Sequence, residues 1–287
     1  METKQLSLSD WLIASDIDGT LNNKRRKLPE RNRTAIHQFV YTYGGKFILA
    51  SGRSIESMRK HFNRLGLNHG YAVFQNGAGI YDYRQEKVLW LNQLSETLTD
   101  IVVAAAKRFP MAQVQVVTVD ETRMVRPDVG AWILAKTSKM KMTRYHTIDA
   151  VPKGDWCKVI FTGLPSVINR VERFVKEKNN GETSNLMRSS ICSFEVVNTG
   201  TNKGVAVLKV AEHLGIDPSK TAAIGDYFND YEMLRSVAVP ACCGQAPQGM
   251  KDIAKLVTCH CNRGAVADLI EYIIQREQKE ADASRSG

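Results

Sequence analysis

Ser15-Asp16-Ile17-Asp18-Gly19-Thr20-Leu21 sets two carboxylates one residue apart, at the end of the apolar run Trp11-Leu12-Ile13-Ala14. In an extended segment side chains alternate faces, so Asp16 and Asp18 start on the same side, and Gly19 lets the chain turn away as the strand ends. Carboxylates held that close repel unless a cation or a shared proton compensates them. The pair therefore suits either a hard metal bound by oxygens or an acid/base couple. An aspartate can also attack phosphorus, because an aspartyl-phosphate splits one hard displacement into two easier ones while the neighbouring acid moves the protons. Alone, Asp-x-Asp-Gly-Thr reads equally as a calcium-loop fragment or a turn with Asx caps.

The flanking pattern decides. From Trp11 to Phe74 short apolar runs alternate with amphipathic stretches: strand 11–16, helix 29–43, strand 46–50, helix 54–65, strand 71–75. Pro29 suits a first helical turn, Gly44-Gly45 a helix end, and Ile36, Phe39, Val40 and Tyr43 share one helical face. Continuous runs such as Phe47-Ile48-Leu49-Ala50 imply strands covered on both faces, hence a parallel sheet. The rhythm returns after residue 200: helix 203–214, strand 221–224, helix 230–236, strand 237–239, a helix after Pro247, strand 256–258 and a last helix, with a frayed tail from Ala281. Between the halves lie a helix 95–109, a strand 112–119, a mixed segment 127–146, a strand 158–161, a helix 165–179 and a strand 193–197. The expected fold is α/β: a doubly wound, Rossmann-type core of residues 1–82 and 198–287, with an inserted α/β cap of residues 83–197. Such an insert can hinge over the carboxyl end of the sheet.

The chain has 287 residues, 43% of them hydrophobic and 24% charged, with no stretch of about 18 apolar residues to span a bilayer. The segment Met-Glu-Thr-Lys-Gln-Leu-Ser lacks the apolar centre of a signal peptide, so a cytoplasmic protein is expected. Six cysteines show no Cys-x-x-Cys spacing. Cys259-His260-Cys261 would point alternating ligands to opposite faces of a strand, which argues for free thiols over zinc. A formal charge of +9 favours anionic partners. The charge is dispersed, and its one run, Lys24-Arg25-Arg26-Lys27, has no interleaved aromatics, so a solvated hairpin tip is favoured over a nucleic-acid patch.

Three further polar signals fall at strand ends: Ser51-Gly52-Arg53, Asn202-Lys203-Gly204, and Gly225-Asp226-Tyr227-Phe228-Asn229-Asp230. In a doubly wound sheet these ends converge on one crevice. Ser51 and the amides around Gly52 suit phosphoryl oxygens, Lys203 suits their charge, and Asp226 adds a carboxylate. Asp16, the carbonyl of Asp18 and Asp226 would form a partial oxygen shell for Mg²⁺. Singly, Lys203 is a surface helix lysine, Ser51 a cap and Gly-Asp-x-x-Asn-Asp a turn. Jointly they stand in the order that one reaction requires.

With these motifs the chain resembles the haloacid dehalogenase superfamily, and within it the Cof-type phosphatases of subclass IIB, over essentially its whole length. Gln75-Asn76-Gly77-Ala78 and Phe194-Glu195-Val196-Val197 through Gly200 to Gly204 add to the likeness. The resemblance implies Asp16 as nucleophile and Asp18 as general acid/base. It makes Asp16, Asp18 (main chain) and Asp226 the Mg²⁺ ligands, with Ser51, Gly52, Lys203 and Asn229 on the phosphate. Asp230 would orient Lys203 or a metal-bound water. Arg53 and Asn76 would face the substrate or brace loops. Tyr227 stands where the pattern commonly has a small polar residue, and either shapes the leaving-group pocket or packs on the next loop. Arg126, Trp132, Lys136 and Lys139 are cap candidates that surface solvation explains equally well.

The reading is an enzyme, a Mg²⁺-dependent phosphatase of a small phosphorylated metabolite such as a sugar phosphate or phosphorylated cofactor. The rivals are a phosphomutase of the same superfamily and a non-catalytic anion or nucleic-acid binder. Intact Asp16 and Asp18 oppose the last, since a binder of anions has no use for two uncompensated acids. Substrate and oligomeric state stay open.

Overall fold

Strands made of uninterrupted apolar residues must be covered on both faces, and in the computed structural model, which describes residues 6–67, 70–126, 141–180 and 184–286, they lie at the centre of an eight-stranded sheet. Its order is Leu256–Val257, Val239–Cys242, Thr221–Gly225, Leu12–Ser15, Lys46–Ala50, Tyr71–Phe74, Gly79–Asp82, Lys87–Leu91. The first six run parallel, and Gly79–Asp82 turns back antiparallel to Tyr71–Phe74. Leu12–Ser15 pairs with Lys46–Ala50 on one side and Thr221–Gly225 on the other, so the chain order reverses at this strand. The crevice of a doubly wound sheet opens at such a reversal, beyond the carboxyl ends.

The helices start and stop on local chemistry. Ser54 accepts the Ser57 N–H at the start of Ile55–Leu65, and Gly66 ends that helix in the left-handed region. Asn202 accepts the Val205 N–H at the start of Lys203–His213. The helix expected over 29–43 is an α-helix over Glu30–His37 that widens to a π-turn over Gln38–Thr42, with Pro29 preceding its first residue. The strand expected at 237–239 is Val239–Cys242. The last helix, Ala265–Ser286, continues through the segment expected to fray, and an Arg276–Glu280 pair one turn apart supports its end.

The chain divides into two compact units, 1–90 with 202–287, and 91–201. The sequence pattern put the first joint at 83, but Lys87–Leu91 is the outer strand of the eight-stranded sheet, so the crossing follows it. Within the second unit six strands lie in the order Ser184–Ser190, Ser193–Asn198, Lys158–Thr162, Gln113–Val117, Thr122–Val125, Met142–Tyr145. Alternating burial along Lys158–Thr162 and Ser193–Asn198 marks a sheet with one covered face. The helices Glu96–Arg108 and Pro165–Asn179 pack with the sheet around Trp156, Phe161 and Phe194. Both ends of the unit meet at Asn92, whose amide donates to the Thr199 carbonyl and the Thr201 hydroxyl. Among the described residues no helix is long and apolar enough to cross a membrane.

Phe161 is wholly buried and stacks on Phe194 at 6.5 Å between ring centres. Phe161→Ala should cost about 3–5 kcal/mol. Hydrogen exchange should show the loss in the six-stranded sheet, with the amides of Leu12–Ser15 and Thr221–Gly225 keeping their protection; equal loss in both sheets would mean that the units unfold as one.

Candidate functional site

The loop that carries Asp16 and Asp18 starts as a continuation of the sheet, because the Asp16 N–H donates to the Ile224 carbonyl at 3.0 Å. The chain then doubles back: the Leu21 N–H reaches the Asp16 carbonyl and the Asn22 N–H the Ile17 carbonyl. Gly19 makes the turn at φ +81°, and a Cβ there would lie 2.2 Å from the Asp226 carboxylate. Only glycine allows both the backbone angle and that approach.

Lys203 opens the helix Lys203–His213 and is wholly buried. Its Nζ lies 2.6 Å from Asp16 Oδ1 and 2.6 Å from Asp230 Oδ1. Asp230 Oδ2 accepts the Asp226 N–H at 3.1 Å, so both oxygens of Asp230 are engaged. Oxygens of Asp16, Asp226 and Asp230 lie within 4.8 Å of one another. Burial opposes the charge on Lys203, but the two carboxylates outweigh it and raise the ammonium's pKa. Burial pushes Asp16 up to about 7, Lys203 opposing and Asp230 adding to it. It pushes Asp226 up to about 6, with the charge of Asp16 adding. Burial also raises Asp230, against Lys203. Three carboxylates thus face one ammonium, and the cluster lacks positive charge. An all-oxygen donor set with that deficit fits a hard divalent cation better than zinc or copper.

Asp18 is treated differently by its surroundings. Its side chain is 48% exposed, and the Arg53 guanidinium grips it by two bonds of 2.6 and 2.7 Å. Burial alone would raise this carboxyl, but the bonds and charge of Arg53 prevail and hold it below the usual range. Arg53 is itself anchored to Ser57 Oγ at 2.9 Å. Nearby His61, which no sequence signal picked out, is buried and bonded to Asn22; burial, then the charges of Arg53 and Arg64, lower it to about 4 and keep it neutral.

Ser51 is buried at the end of Lys46–Ala50. Its carbonyl accepts the Asn76 N–H, the Arg53 carbonyl accepts the Gln75 N–H, and the Asn76 amide packs on Gly52. Gln75, Asn76 and Gly77 are all left-handed, at φ +48°, +58° and +99°. A Cβ on Gly77 would fall 2.1 Å from the Asn202 carbonyl, so this turn presses on the start of the Lys203 helix.

Other sequence candidates stand apart. Asn229 is exposed in the turn Phe228–Asp230, and among the described residues no hydrogen bond ties it to the cluster. Tyr227 is 58% exposed and meets Phe228 edge to face at the surface. The Arg126 guanidinium is spent on the Ala106 carbonyl. Trp132, Lys136 and Lys139 lie outside the described residues. Lys24 to Lys27 are exposed on a loop held by Asn23, whose side-chain oxygen accepts the Arg25 and Lys27 N–H groups. The Cys259 and Cys261 N–H groups donate to Asp268 and Gln245, which uses that segment as a backbone brace.

A family model described as haloacid dehalogenase-like hydrolase matches residues 13–270. Phosphatase YwpJ of Bacillus subtilis is 24% identical over 92% of this chain and 99% of its own length. An HMP-PP phosphatase of Yersinia enterocolitica is 26% identical over 91% and 94%. The solved structure of the HAD subclass IIB sugar phosphatase BT4131 superposes with a TM-score of 0.72 at 18% identity, covering 92% of this chain and 98% of that one.

Removing the ammonium tests the charge balance directly. Lys203→Met leaves buried Asp16 and Asp230 uncompensated and should cost about 3–5 kcal/mol at neutral pH. Both carboxyls then sit above their unfolded value of 3.8, so the folded state takes up protons first and the deficit should shrink as pH falls from about 7 towards 4. Urea denaturation across that range reads it; a deficit independent of pH would show that Lys203 contributes packing alone.

Proposed function

We propose that this chain, which belongs to the haloacid dehalogenase-like hydrolase family, is a Mg²⁺-dependent phosphatase that hydrolyses a small phosphorylated metabolite through an aspartyl-phosphate intermediate. The observation that carries this reading is the contrast between Asp16, buried at a strand end against Lys203, and Asp18, two residues on and half exposed on Arg53.

Asp16 is the nucleophile. One carboxylate oxygen attacks phosphorus, and the ester oxygen departs with a proton from Asp18. Asp18, now ionised, takes a proton from water, which attacks the aspartyl-phosphate and frees inorganic phosphate and Asp16. Arg53 holds Asp18 ionised in the free enzyme, so its fork must open and Asp18 must take a proton from solvent before it can act as an acid; an arriving phosphate dianion offers that guanidinium a second partner. Lys203 offsets the charge on the phosphoryl oxygens, to which Ser51 and the Gly52 amide are assigned on resemblance. Asn229 is assigned to the phosphate on resemblance. Asp230, with both oxygens engaged, fixes Lys203 and leaves metal binding to Asp16, Asp226 and the Asp18 carbonyl. Bound there, Mg²⁺ supplies the missing positive charge and screens the nucleophile from the phosphate it attacks.

Relatives named for HMP-PP and sugar phosphates support a substrate among sugar phosphates and phosphorylated cofactors. The second unit, 91–201, is assigned the choice of leaving group. Six free cysteines suit a reducing cytoplasm.

A phosphate-release assay over a panel of phosphate esters tests the reading. Asp16→Asn should lower kcat by at least about 10⁴-fold, and Asp18→Asn by about 10²-fold or more while a phosphoenzyme accumulates. EDTA should abolish turnover, and Mg²⁺ should restore it where Zn²⁺ does not. Phosphate release that survives Asp16→Asn or exhaustive chelation would overturn the assignment.

A further inference from the structure

Gln245 lies between the strand Val239–Cys242 and the helix Gln248–Lys251, outside every sequence motif described above. Its side chain joins two loops. Nε2 donates to the Gly19 carbonyl at 2.6 Å, and Oε1 accepts the Cys261 N–H at 3.0 Å. Because one end meets an acceptor and the other a donor, only one orientation of the amide satisfies both.

The contact with Gly19 falls at the left-handed turn after Asp18, against which the Asp226 carboxylate packs. The far end is anchored as well: Cys261 opens the short helix Cys261–Arg263, where Asn262 Oδ1 accepts the Lys24 N–H at 3.1 Å. The segment from Gly19 to Lys24 is thus fixed at one end by Gln245 and at the other by Asn262.

We propose that Gln245 is a positioning residue of the phosphoryl-transfer site: by holding the Gly19 carbonyl it sets the placement of Asp16 and Asp18 relative to Asp226. The proposal rests on the reading of Asp16 as nucleophile given above. A neutral amide is the group the place requires. A lysine reaching the same carbonyl would set a positive charge beside Asp226 and compete with the divalent cation, whereas a glutamate would add a fourth carboxylate.

Gln245→Leu removes both bonds. Gln245→Glu keeps the acceptor for the Cys261 N–H, loses the donor to Gly19 and adds a carboxylate beside Asp226, so kcat reads positioning in both variants whereas Mg²⁺ affinity reads it in Gln245→Leu alone. For the full-length protein three quantities are read: kcat and KM on p-nitrophenyl phosphate, Mg²⁺ affinity by calorimetry, and the melting midpoint in EDTA. In both variants kcat should fall about 10- to 100-fold, and in Gln245→Leu Mg²⁺ affinity should fall by a similar factor. KM should change less than about threefold, and the metal-free midpoint should move by no more than about 2 °C. Gln245→Glu with wild-type kcat overturns the proposal, as does a loss that matches a fall in the metal-free midpoint. If Gln245→Leu does not fold, Gln245→Asn, one methylene too short to reach both partners, takes its place beside Gln245→Glu. A wild type that neither binds Mg²⁺ nor releases phosphate sinks both the site reading and this one, whereas an active wild type with an unaltered Gln245→Glu sinks this one alone.

Discussion

Lys203, an ammonium with no exposure to water, is held between Asp16 and Asp230 at 2.6 Å each, and the local structure of the first unit answers to that arrangement. Taking such ions out of water costs several kcal/mol apiece unless geometry and further hydrogen bonds compensate. The three residues come from a strand end, a helix start and a 3-10 turn after another strand, so satisfying the charges demands that all three elements converge. The neighbouring backbone takes part: Asp230 receives the Asp226 N–H, and the Gln75–Gly77 turn presses on the residue before Lys203. With Asp226 included, the balance still favours negative charge. Under the proposed assignment that excess is what binds the divalent cation.

The same physics separates two chemically identical residues. Asp16 and Asp18 are two positions apart, yet burial raises the proton affinity of one and an arginine fork lowers that of the other. Asp16 is buried against the end of the sheet, and Asp18, two residues on, is half exposed. Divergent environments are how two carboxylates take different roles in one reaction. A buried oxygen relieved of water suits attack, and an exposed one suits exchange of protons with a leaving group and with solvent.

The alternation of apolar runs and helical faces revealed the doubly wound sheet, because buried parallel strands carry their signal in consecutive residues such as Phe47 to Ala50. Strands without that signal went unread. Ser184–Ser190 is rich in serine and asparagine and exists through pairing with Ser193–Asn198, and Gly79–Asp82 is four residues held by Tyr71–Phe74. The first joint is expected at 83 with no strand read at Lys87–Leu91, and only that strand's place in the sheet assigns it to the core. At the site, residues inside motifs were legible and their partners were not. The Arg53 fork on Asp18 pairs residues 35 apart, His61 on Asn22 pairs residues 39 apart, and the Gln245 bond to Gly19 spans 226 positions. Spacing in sequence holds no record of such meetings.

Strain at the third strand's end completes the case that the site shapes the backbone. Three consecutive left-handed residues, two of them not glycine, cost of order 1–3 kcal/mol each where a side chain resists the conformation. That cost fixes direction. The turn's N–H groups take the carbonyls of Ser51 and Arg53, and in a planar trans peptide the N–H lies opposite the carbonyl. With the Ser51 carbonyl drawn towards Asn76, the Gly52 N–H is aimed the other way, away from the turn. Gly52 lacks the side chain that would crowd Asn76 at 3.0 Å, so loop and turn stay in contact while that amide keeps its aim. Under the proposed assignment the strained turn therefore does for the phosphate what Asp230 does for Lys203: it spends conformational freedom beforehand so that a donor already points where negative charge arrives.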